Sequence, residues 1–315
     1  MPEPKSEDRE FIESVRAVGV TATARKFDMD TRCAFRRRRT LERIYNTAIG
    51  TDKLAARSDP QFAGRLHIEI PDGIVLIGSD AHYWPGLVST AHRGFVKACE
   101  LLRPKAVIMN GDVLDGASVS RHPPIGWEKR PSLIDEIEAC QARLGEIKAA
   151  AGAVGFYWTL GNHDARFETR LASVAPEYAR IHGVHLQDHF PGWEPAWSVW
   201  INESVVVKHR YRNGIHAAHN NTVNSGKSIV TGHLHSLKVT PFSDLNGDRF
   251  GVDCGTLSTI GGPQFQDYLE DNPVNWRSGF VVLTFSEGRL LWPEVAHVLD
   301  EAEGAIEFRG KIWRV

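Results

Sequence analysis

The chain has 315 residues, of which 42% are hydrophobic and 24% charged, with a formal net charge of −2. This length exceeds one average domain, and the composition is that of a globular protein, which excludes a chain that is disordered throughout. No apolar run approaches the length that crosses a bilayer, and the sequence MPEPKSEDRE at the start is too polar for a secretory signal, so we expect a cytoplasmic protein without membrane association.

The cysteines agree with a reducing compartment. Cys33, Cys99, Cys140 and Cys254 are scattered along the chain, without the paired spacing of zinc sites or disulfide frameworks. We therefore interpret them as packing residues.

The first 45 residues predict a small all-α domain. Apolar residues at helical spacing predict a helix over residues 8–18, and a second short helix is expected over residues 21–27. A third helix, capped by Asp30 or Thr31, should reach Tyr45. Residues 46–65 contain turn-forming residues without periodicity and predict a linker. We expect the second domain to occupy residues 66–315.

The third predicted helix lies in a strongly basic segment. The stretch VGVTATARKFDMDTRCAFRRRRTLER resembles the helix-turn-helix of small DNA-binding domains, whose third helix lies in the major groove. The resemblance implies that Arg32, Arg36 and Arg39 share a face directed at DNA, and that Phe35 faces the core. The alternative is a helical extension that packs on the rest of the chain or on another subunit, with its arginines solvated.

The second domain begins as a pattern of alternating strands and helices. Residues 66–70 and 74–78 flank Pro71-Asp72-Gly73, which predicts a hairpin that starts the sheet. Helices are predicted over residues 91–102 and 132–150, each with one apolar face. Since short apolar runs occur between and after these helices, we expect an α/β core.

From residue 249 onward the pattern changes to strands. Strands are predicted over residues 250–254, 279–285 and 290–295, with a tight turn at Ser286-Glu287-Gly288. Residues 312–315 predict a final edge strand.

Five polar clusters each close one of the short apolar runs. The clusters are Asp80-Ala-His82, Gly111-Asp112, Gly161-Asn162-His163-Asp164, His209, and Gly232-His233-Leu234-His235. Apolar runs of this length bounded by glycine are typical of buried strands. Open α/β sheets place their ligand sites at the carboxyl ends of such strands, so we expect these clusters to form one site.

The residue types in these clusters are those that a two-metal site needs. Two divalent ions about 3.5–4 Å apart can hold the attacking and leaving oxygens of a phosphoryl displacement, and a carboxylate can bridge them. Imidazole and amide ligands do not neutralise the ions, so bound water loses its proton near neutral pH. Manganese is the expected ion, with iron, zinc or nickel as alternatives, because mixed His, Asp and Asn ligands do not select one ion sharply.

The motifs DAH, GDVLD, GNHD, a single His after a Val-rich strand, and GHLH resemble the ordered motifs of the calcineurin-like metallophosphoesterases over about residues 67–260. The resemblance implies two packed mixed sheets flanked by helices, and a metal-bridging hydroxide as the nucleophile. It implies seven metal ligands: Asp80, His82 and His235 at one ion, Asn162, His209 and His233 at the other, and Asp112 as the bridge.

Two further roles come from the same resemblance. His163 would protonate the leaving oxygen, with Asp115 as its orienting partner. His216 and His219 are alternatives to His209, because this chain lacks the glycine that often follows that histidine in the family.

Substrate contacts are expected near the second and third motifs. The protein phosphatase branch of the family has an arginine directly after the position of Asp115, whereas this chain has Gly116. Arg121 and His122 in a Pro-rich loop, and Arg166 just after the third motif, are candidates to bind phosphate instead. The alternative is that they are solvated loop charges.

Trp84 follows the first motif and is a candidate to stack on a base or an apolar leaving group, with core packing as the alternative. Together these features predict a binuclear-metal phosphodiesterase or nuclease, with DNA as the expected partner and a role in phage or bacterial DNA processing. One alternative is a phosphomonoesterase acting on nucleotides or phosphoproteins. Another is a non-catalytic DNA-binding regulator.

Overall fold

The computed structural model describes residues 4–45, 47, 49, 62–122, 126–179 and 181–315, apart from the side chains of residues 267 and 268. The chain forms two compact units, one within residues 1–61 and the other over Phe62–Val315. The predicted linker over residues 46–65 lies largely outside the described residues, so the predicted domain boundaries stay predictions. Within the described ranges, no helix combines the length and the apolar character needed to span a membrane.

The first unit contains helices α1 (Ser6–Val18), α2 (Val20–Lys26) and α3 (Thr31–Tyr45). The Asp30 carboxylate caps α3, since its Oδ1 accepts a hydrogen bond from the backbone N–H of Arg32 at 2.8 Å. Side chains from all three helices form one apolar core that includes Phe11, Ile12, Val15, Val20, Ala24, Ala34, Leu41 and Tyr45.

Phe35 does not face this core, so the prediction for it was wrong. Its side chain is 39% exposed, whereas Ala34 and Leu41 are buried. A helix turns 100° per residue, so the small Ala34 side chain, which packs in the core, leaves the adjacent Phe35 turned toward solvent. Phe35 therefore shares the outer face of α3 with the predicted DNA-contacting arginines.

The second unit is built from fifteen described strands and five described α-helices. The strands are β1 (Leu66–Ile68), β2 (Gly73–Gly78), β3 (Ala106–Asn110), β4 (Gly155–Thr159), β5 (Glu194–Ala196), β6 (Val199–Ile201), β7 (Val205–Val207), β8 (Ser228–Thr231), β9 (Leu237–Asp244), β10 (Gly247–Cys254), β11 (Gly279–Ser286), β12 (Arg289–Leu290), β13 (Glu294–Asp300), β14 (Ala305–Phe308) and β15 (Lys311–Arg314). The helices are α4 (Thr90–Leu102), α5 (Leu133–Ala151), α6 (Asp164–Val174), α7 (Ala217–Ser225) and α8 (Gln266–Leu269).

These strands form two mixed sheets. The nine-stranded sheet has the order β15-β14-β13-β11-β2-β3-β4-β5, with β12 paired to β11. In it, β2, β3, β4 and β5 run parallel, and β11 joins them in antiparallel orientation. The six-stranded sheet has the order β1-β6-β7-β8-β10-β9, in which β7, β8 and β10 are parallel.

The predicted hairpin over residues 66–78 does not form. Strand β1 pairs in parallel with β6 in the six-stranded sheet, whereas β2 pairs with β3 and β11 in the other sheet. Leu66 and Ile68 pack on the inter-sheet core, which draws β1 away from β2. The predicted strand over residues 290–295 also divides into β12 and β13, since Pro293 between them has no N–H to donate.

The two sheets pack face to face around an apolar core. This core joins Val75, Ile77 and Ile108 of the nine-stranded sheet to Val205 and Val230 of the six-stranded sheet. On the outer face of the nine-stranded sheet, a second core includes residues of α4 and α5, and α7 packs on β8, β9 and β10. The chain thus has the predicted α/β architecture of two packed mixed sheets flanked by helices.

Candidate metal centre

The five polar clusters meet at the carboxyl ends of neighbouring strands. Three of them follow β2, β3 and β4, which are adjacent in the nine-stranded sheet. The other two follow β7 and β8, which are adjacent in the six-stranded sheet. Because the two sheets are packed together, these ends bring the predicted ligands into one buried cluster.

Five of the seven predicted ligands have a left-handed backbone conformation, which non-glycine residues adopt infrequently. Such conformations cost on the order of 1–3 kcal/mol each, and they concentrate at functional sites. The residues and their φ angles are Asp80 at 51°, His82 at 40°, Asp112 at 50°, His233 at 71° and His235 at 54°.

The ligand-type atoms form neighbouring groups, and Asp112 lies between two of them. Atoms of Asp80, His82 and His235 lie within 4.8 Å of one another, and so do those of Asp112, His209 and His233. Asp112 Oδ2 lies 3.1 Å from His209 Nε2 and 4.0 Å from His82 Nε2. This carboxylate therefore borders both groups, which is where a bridging ligand must lie.

Several ligand atoms of this cluster are buried and have no hydrogen-bond partner in the described part of the protein. They are His82 Nε2, His209 Nε2, His235 Nδ1 and Asn162 Oδ1. Buried polar atoms without partners are costly and infrequent in proteins. Lone pairs from imidazole, amide and carboxylate groups are the donors that divalent transition metals bind, so these residues fit two such ions.

Hydrogen bonds on the far side of two rings orient these lone pairs. His209 Nδ1 donates to the backbone carbonyl of Asn110 at 2.8 Å, and a carbonyl can only accept. His82 Nδ1 donates to Asp115 Oδ1 at 2.8 Å. In both rings Nδ1 carries a proton, so Nε2 is the nitrogen that can offer a lone pair to a cation when it is itself unprotonated. Histidines that ligate metals are generally held in this way.

The cluster stabilises positive charge. Burial by itself would lower the pKa of His209, but the carboxylates of Asp112 and Asp80 raise this pKa to about 10. Conversely, burial would raise the pKa of Asp112, yet His209 and His163 hold it well below its usual range. The buried carboxylates are thus compensated by positive charge, which divalent cations would also supply.

Asp164 holds two loops of the site together by hydrogen bonds, a role that the sequence interpretation missed. It is the first residue of α6, it is fully buried, and its carboxylate accepts five hydrogen bonds from two loops and a tryptophan. The donors are the backbone N–H groups of Asp112 (2.9 Å), Val113 (3.0 Å), Leu114 (3.1 Å) and Gly161 (2.9 Å), and Trp158 Nε1 (3.0 Å). An acidic residue at a helix start was the only signal in the sequence.

His163 lies beside the cluster and is held by two neighbours. Its Nδ1 is 2.9 Å from the carbonyl oxygen of Asp115 and 3.2 Å from Asp115 Oδ1. Arg166 donates from Nη2 to His163 Nε2 at 3.0 Å. A guanidinium can only donate, so Nε2 is an acceptor here and Nδ1 carries the proton. Burial would raise the pKa of Asp115, but hydrogen bonds from His163 and His82 lower it below its usual range.

Glu136 is a second residue that the sequence interpretation missed. It is fully buried, and its carboxylate accepts hydrogen bonds from the backbone N–H groups of Gly116 at 2.6 Å and Ala117 at 3.0 Å. Burial and the nearby Asp115 carboxylate raise the pKa of Glu136 to about 7. Glu136 fixes the turn that follows Asp115, so it positions the partner of both His82 and His163.

A cleft of about 480 Å³ opens onto the cluster. Among the predicted substrate contacts, Trp84, His122 and Arg166 line it. Arg121 is exposed and is absent from the described lining of the cleft. The volume is that of an ordinary small-ligand site, so the cleft can hold one phosphoester group with its nearest substituents.

One part of the cleft wall is aromatic, which the sequence interpretation did not anticipate. Trp276 and Phe265 line the cleft, and their ring centroids are 5.1 Å apart. Trp276 also contacts the ring of His235, with centroids 4.2 Å apart, and Phe265 contacts His82 at 5.0 Å. These rings shield the predicted ligands from water and present an apolar surface to substrate.

The structure brings His209, and not the alternative histidines, into the cluster. His209 is 1% exposed, whereas His216 and His219 are exposed residues at the start of α7. Of the remaining predicted site residues, Arg32, Arg36 and Arg39 lie on the outer face of α3.

No protein-family model matches the chain, and no curated protein matches it. Solved structures with a similar backbone include Vps29 complexed with Zn²⁺ from Entamoeba histolytica, which is 13% identical with a TM-score of 0.39 and aligns 77% of this chain with 98% of that one. An archaeal phosphodiesterase is 16% identical, with a TM-score of 0.34 and coverage of 70% and 99%. A dimetal phosphatase from Danio rerio is 10% identical, with a TM-score of 0.36 and coverage of 72% and 96%.

Proposed function

We propose that this protein is a two-metal phosphodiesterase that cleaves nucleic acid. The observation that carries the proposal is the position of Asp112, a buried carboxylate that borders two groups of histidine and aspartate donors. A shared carboxylate of this kind is what two closely spaced divalent ions require.

Two sets of residues would hold the ions, with manganese as the proposed metal. Asp80, His82 and His235 would hold one ion, Asn162, His209 and His233 the other, and Asp112 would contact both. When bound, the ions supply Lewis-acid polarisation of a phosphoryl oxygen and acidification of water.

His163 and Arg166 would act on the substrate in the cleft. The Arg166 guanidinium is half-buried there and can form charge-assisted hydrogen bonds with phosphate oxygens. His163 would give a proton to the leaving oxygen, with Asp115 holding the ring in place. Arg166 donates to His163 Nε2, so that nitrogen would have to be released by Arg166 and take up a proton from water before it could protonate the leaving oxygen.

A diester of nucleic acid is proposed because of the aromatic cleft wall and the basic N-terminal helix. Trp84 and Trp276 offer flat apolar surface on which a base can stack. The outer face of α3 carries Arg32, Arg36 and Arg39, together with the exposed Phe35. We propose that this face binds DNA and delivers the metal centre to its substrate.

The decisive experiment compares matched substrates in the presence of Mn²⁺. Purified protein is assayed on an aryl phosphodiester, the corresponding aryl phosphomonoester, single-stranded and duplex DNA, and RNA. We expect faster cleavage of the diester than of the monoester, and cleavage of at least one nucleic acid. Rapid monoester and slow diester cleavage would instead identify a phosphomonoesterase.

Asp112→Ala tests the shared carboxylate in the same assay. We expect this variant to lose turnover, because one change removes a ligand from both groups. Asp248→Ala, which removes an exposed carboxylate on β10, is the matched control and should remain active. Full activity of Asp112→Ala, or no hydrolysis by the wild-type protein with manganese, iron, zinc or nickel, would overturn the proposal.

A further inference from the structure

The outer face of the six-stranded sheet is basic along β6 and β7. In this pair of strands, Val205 and Val207 face the inter-sheet core, so Trp200, Val206 and Lys208 face outward. Helix α7 packs on the neighbouring strands β8, β9 and β10. Trp200 is half-buried and lies over this part of the face.

Cationic side chains are arranged on aromatic rings along this face. The Arg65 guanidinium carbon lies 4.7 Å from the centre of the Trp200 ring, and Lys227 Nζ lies 5.7 Å from it. Lys208 Nζ lies 5.3 Å from the centre of the Tyr211 ring, and the Arg212 guanidinium lies 5.9 Å from it. Cation–π contacts of this kind hold the charges in place without neutralising them.

Two cations of this face lie directly beside a predicted metal ligand in the sequence. We define the basic stripe as Arg65, Lys208, Arg210, Arg212 and Lys227. Lys208 and Arg210 flank the predicted ligand His209 in the sequence. Leu66 pairs with Val199, and Val199 pairs with Val207, so Arg65 and Lys208 flank neighbouring register positions at the same end of the sheet. The nearby acidic side chain Glu203 is hydrogen-bonded to His67.

We propose that the basic stripe binds a single strand of nucleic acid whose phosphodiester enters the adjacent metal centre. This inference rests on the proposed function and extends it, since it requires a polymeric substrate that continues beyond the cleft. A row of like charges is unfavourable for a folded protein unless a polyanion neutralises it. Cations interleaved with aromatic rings are typical of surfaces that follow a single-stranded backbone.

The width of the stripe favours one strand over a duplex. Neighbouring strands of a sheet lie about 4.8 Å apart, so the face formed by β1, β6 and β7 is about 10 Å across. A band of that width faces one phosphate backbone. Single strands of DNA and RNA both carry negatively charged phosphodiesters, so the test includes both.

The test measures binding of fluorescein-labelled 15-nucleotide single strands by fluorescence anisotropy, with the full-length chain in excess EDTA to prevent cleavage. The variant Arg65→Glu/Lys227→Glu reverses two charges of the stripe on either side of Trp200. The control Arg289→Glu/Lys311→Glu makes the same change in net charge on two exposed residues of the nine-stranded sheet. Both variants keep the N-terminal helices intact, so any binding by α3 is common to them.

We expect the Kd of the stripe variant to exceed that of the control at least tenfold at 50 mM salt, for DNA and RNA alike. Loss of two phosphate contacts should also reduce the slope of log K against log salt concentration by about 1.4. Equal Kd values for the two variants would overturn the proposal. A larger loss of affinity for a 15-base-pair duplex, measured in parallel, would overturn the single-strand assignment.

Hydrolysis of the aryl phosphodiester by the wild-type protein decides the proposed function independently, because this small substrate does not extend to the stripe. If the wild-type protein fails to cleave it while the stripe variant binds single strands weakly, the stripe is supported and the proposed function is overturned. If the wild-type protein cleaves the aryl phosphodiester and the two variants bind single strands equally, only the proposal for the stripe is overturned. Thermal melting of both variants verifies that each is folded.

Discussion

At the scale of single residues, Asp115 connects two histidines that have different proposed tasks. Its Oδ1 accepts a hydrogen bond from His82, whose other nitrogen faces the metal cluster, and it also lies 3.2 Å from His163 Nδ1. The positions of a predicted ligand and of the proposed proton donor thus depend on the same carboxylate. Since Glu136 fixes the turn after Asp115, both histidines also depend on a residue of α5.

Arg166 gives a prediction about substrate binding. We expect Arg166→Ala to raise the KM for phosphate esters about 10- to 100-fold, because a charge-assisted hydrogen bond contributes about 1.5–3 kcal/mol. The measurement is steady-state kinetics on the aryl phosphodiester. Arg121→Ala removes an exposed arginine that does not line the described part of the cleft, and it should leave KM unchanged. An unchanged KM in Arg166→Ala would exclude this residue as a phosphate contact.

His92 gives a prediction about pH. Burial lowers the pKa of His92 to about 4, against the opposing effect of a hydrogen bond that His92 Nε2 donates to Glu146, whereas an unfolded histidine has a pKa of about 6.5. Between these values the unfolded chain binds more protons, so the free energy of unfolding falls as the pH falls from 6.5 to 4. The loss is about 3 kcal/mol for this one group, and above pH 6.5 it is absent.

Urea unfolding at pH 7 and pH 4.5, in EDTA, measures this effect. We expect His92→Gln to reduce the difference in unfolding free energy between the two pH values, since the substituted side chain cannot be protonated. His219→Gln changes an exposed histidine and should retain the difference. An undiminished difference in His92→Gln would show that another group causes it.

At the scale of elements, the start of α6 joins two loops of the site. Asp164 accepts backbone hydrogen bonds from the loop after β3 and from the loop after β4, and so holds Asp112 beside His163. Helix α6 therefore links the two loops in addition to packing on the sheet. Its first residue sets the distance between two clusters that are about fifty residues apart in the sequence.

Asp164→Asn tests this link. An amide places an NH₂ group where the carboxylate accepts hydrogen bonds, so we expect a loss of about 3 kcal/mol in the free energy of unfolding. Asp135→Asn is the matched control, since Asp135 is an exposed acidic residue in the first turn of α5 and should cost at most about 1 kcal/mol. Chemical denaturation measures both. Equal losses in unfolding free energy would show that the buried hydrogen bonds of Asp164 stabilise the protein no more than the exposed carboxylate of Asp135 does.

At the scale of the whole molecule, the two compact units have separate apolar cores. The core of the first unit contains residues of α1, α2 and α3, and the second unit has its own cores on the two faces of its nine-stranded sheet. Changes on the outer face of α3 should therefore not affect the chemistry of the metal centre. The two proposed activities, DNA binding and hydrolysis, can be separated by substitution.

We expect Arg32→Ala/Arg36→Ala/Arg39→Ala to weaken duplex DNA binding at least tenfold and to lower its salt dependence, because phosphate contacts release counterions. Turnover of the aryl phosphodiester should stay within about twofold of the wild-type rate. Arg38→Ala, whose guanidinium already pairs with Glu42 at 3.6 Å, is the control and should cost less affinity. Anisotropy at low and high salt measures all three proteins, and unchanged duplex affinity in the triple variant would remove α3 as a DNA contact.

Several sequence predictions depended only on local patterns, and the structure agrees with them. The apolar runs that precede Asp80, Asp112 and Asn162 form parallel strands, since runs of β-branched or aromatic residues bounded by glycine favour that conformation. The capped third helix begins at Thr31 as expected. The predicted ligands come together because polar residues that follow adjacent parallel strands emerge at one edge of the sheet.

Two of the predictions that failed concerned the choice between packing partners. The turn after Ile70 is compatible with a hairpin, but the choice between pairing β1 with β2 or with β6 depends on a core assembled from strands more than a hundred residues away. Phe35 and Ala34 are adjacent, and the face that is buried depends on how closely α1 and α2 approach α3. Neither choice is encoded in the local spacing of residues.

The sequence by itself determined the strands that precede the donors, the two long helices of the second unit and the chemical nature of the donors, because backbone periodicity and ligand chemistry are local properties. Only the tertiary structure decided which groups support those donors. Three of the five hydrogen bonds to Asp164, the Glu136 contact with the turn after Asp115, and the ring of Trp276 against His235 join different elements of the chain. Such contacts arise when helices and loops pack at the carboxyl ends of the strands, and no spacing along the sequence reports them.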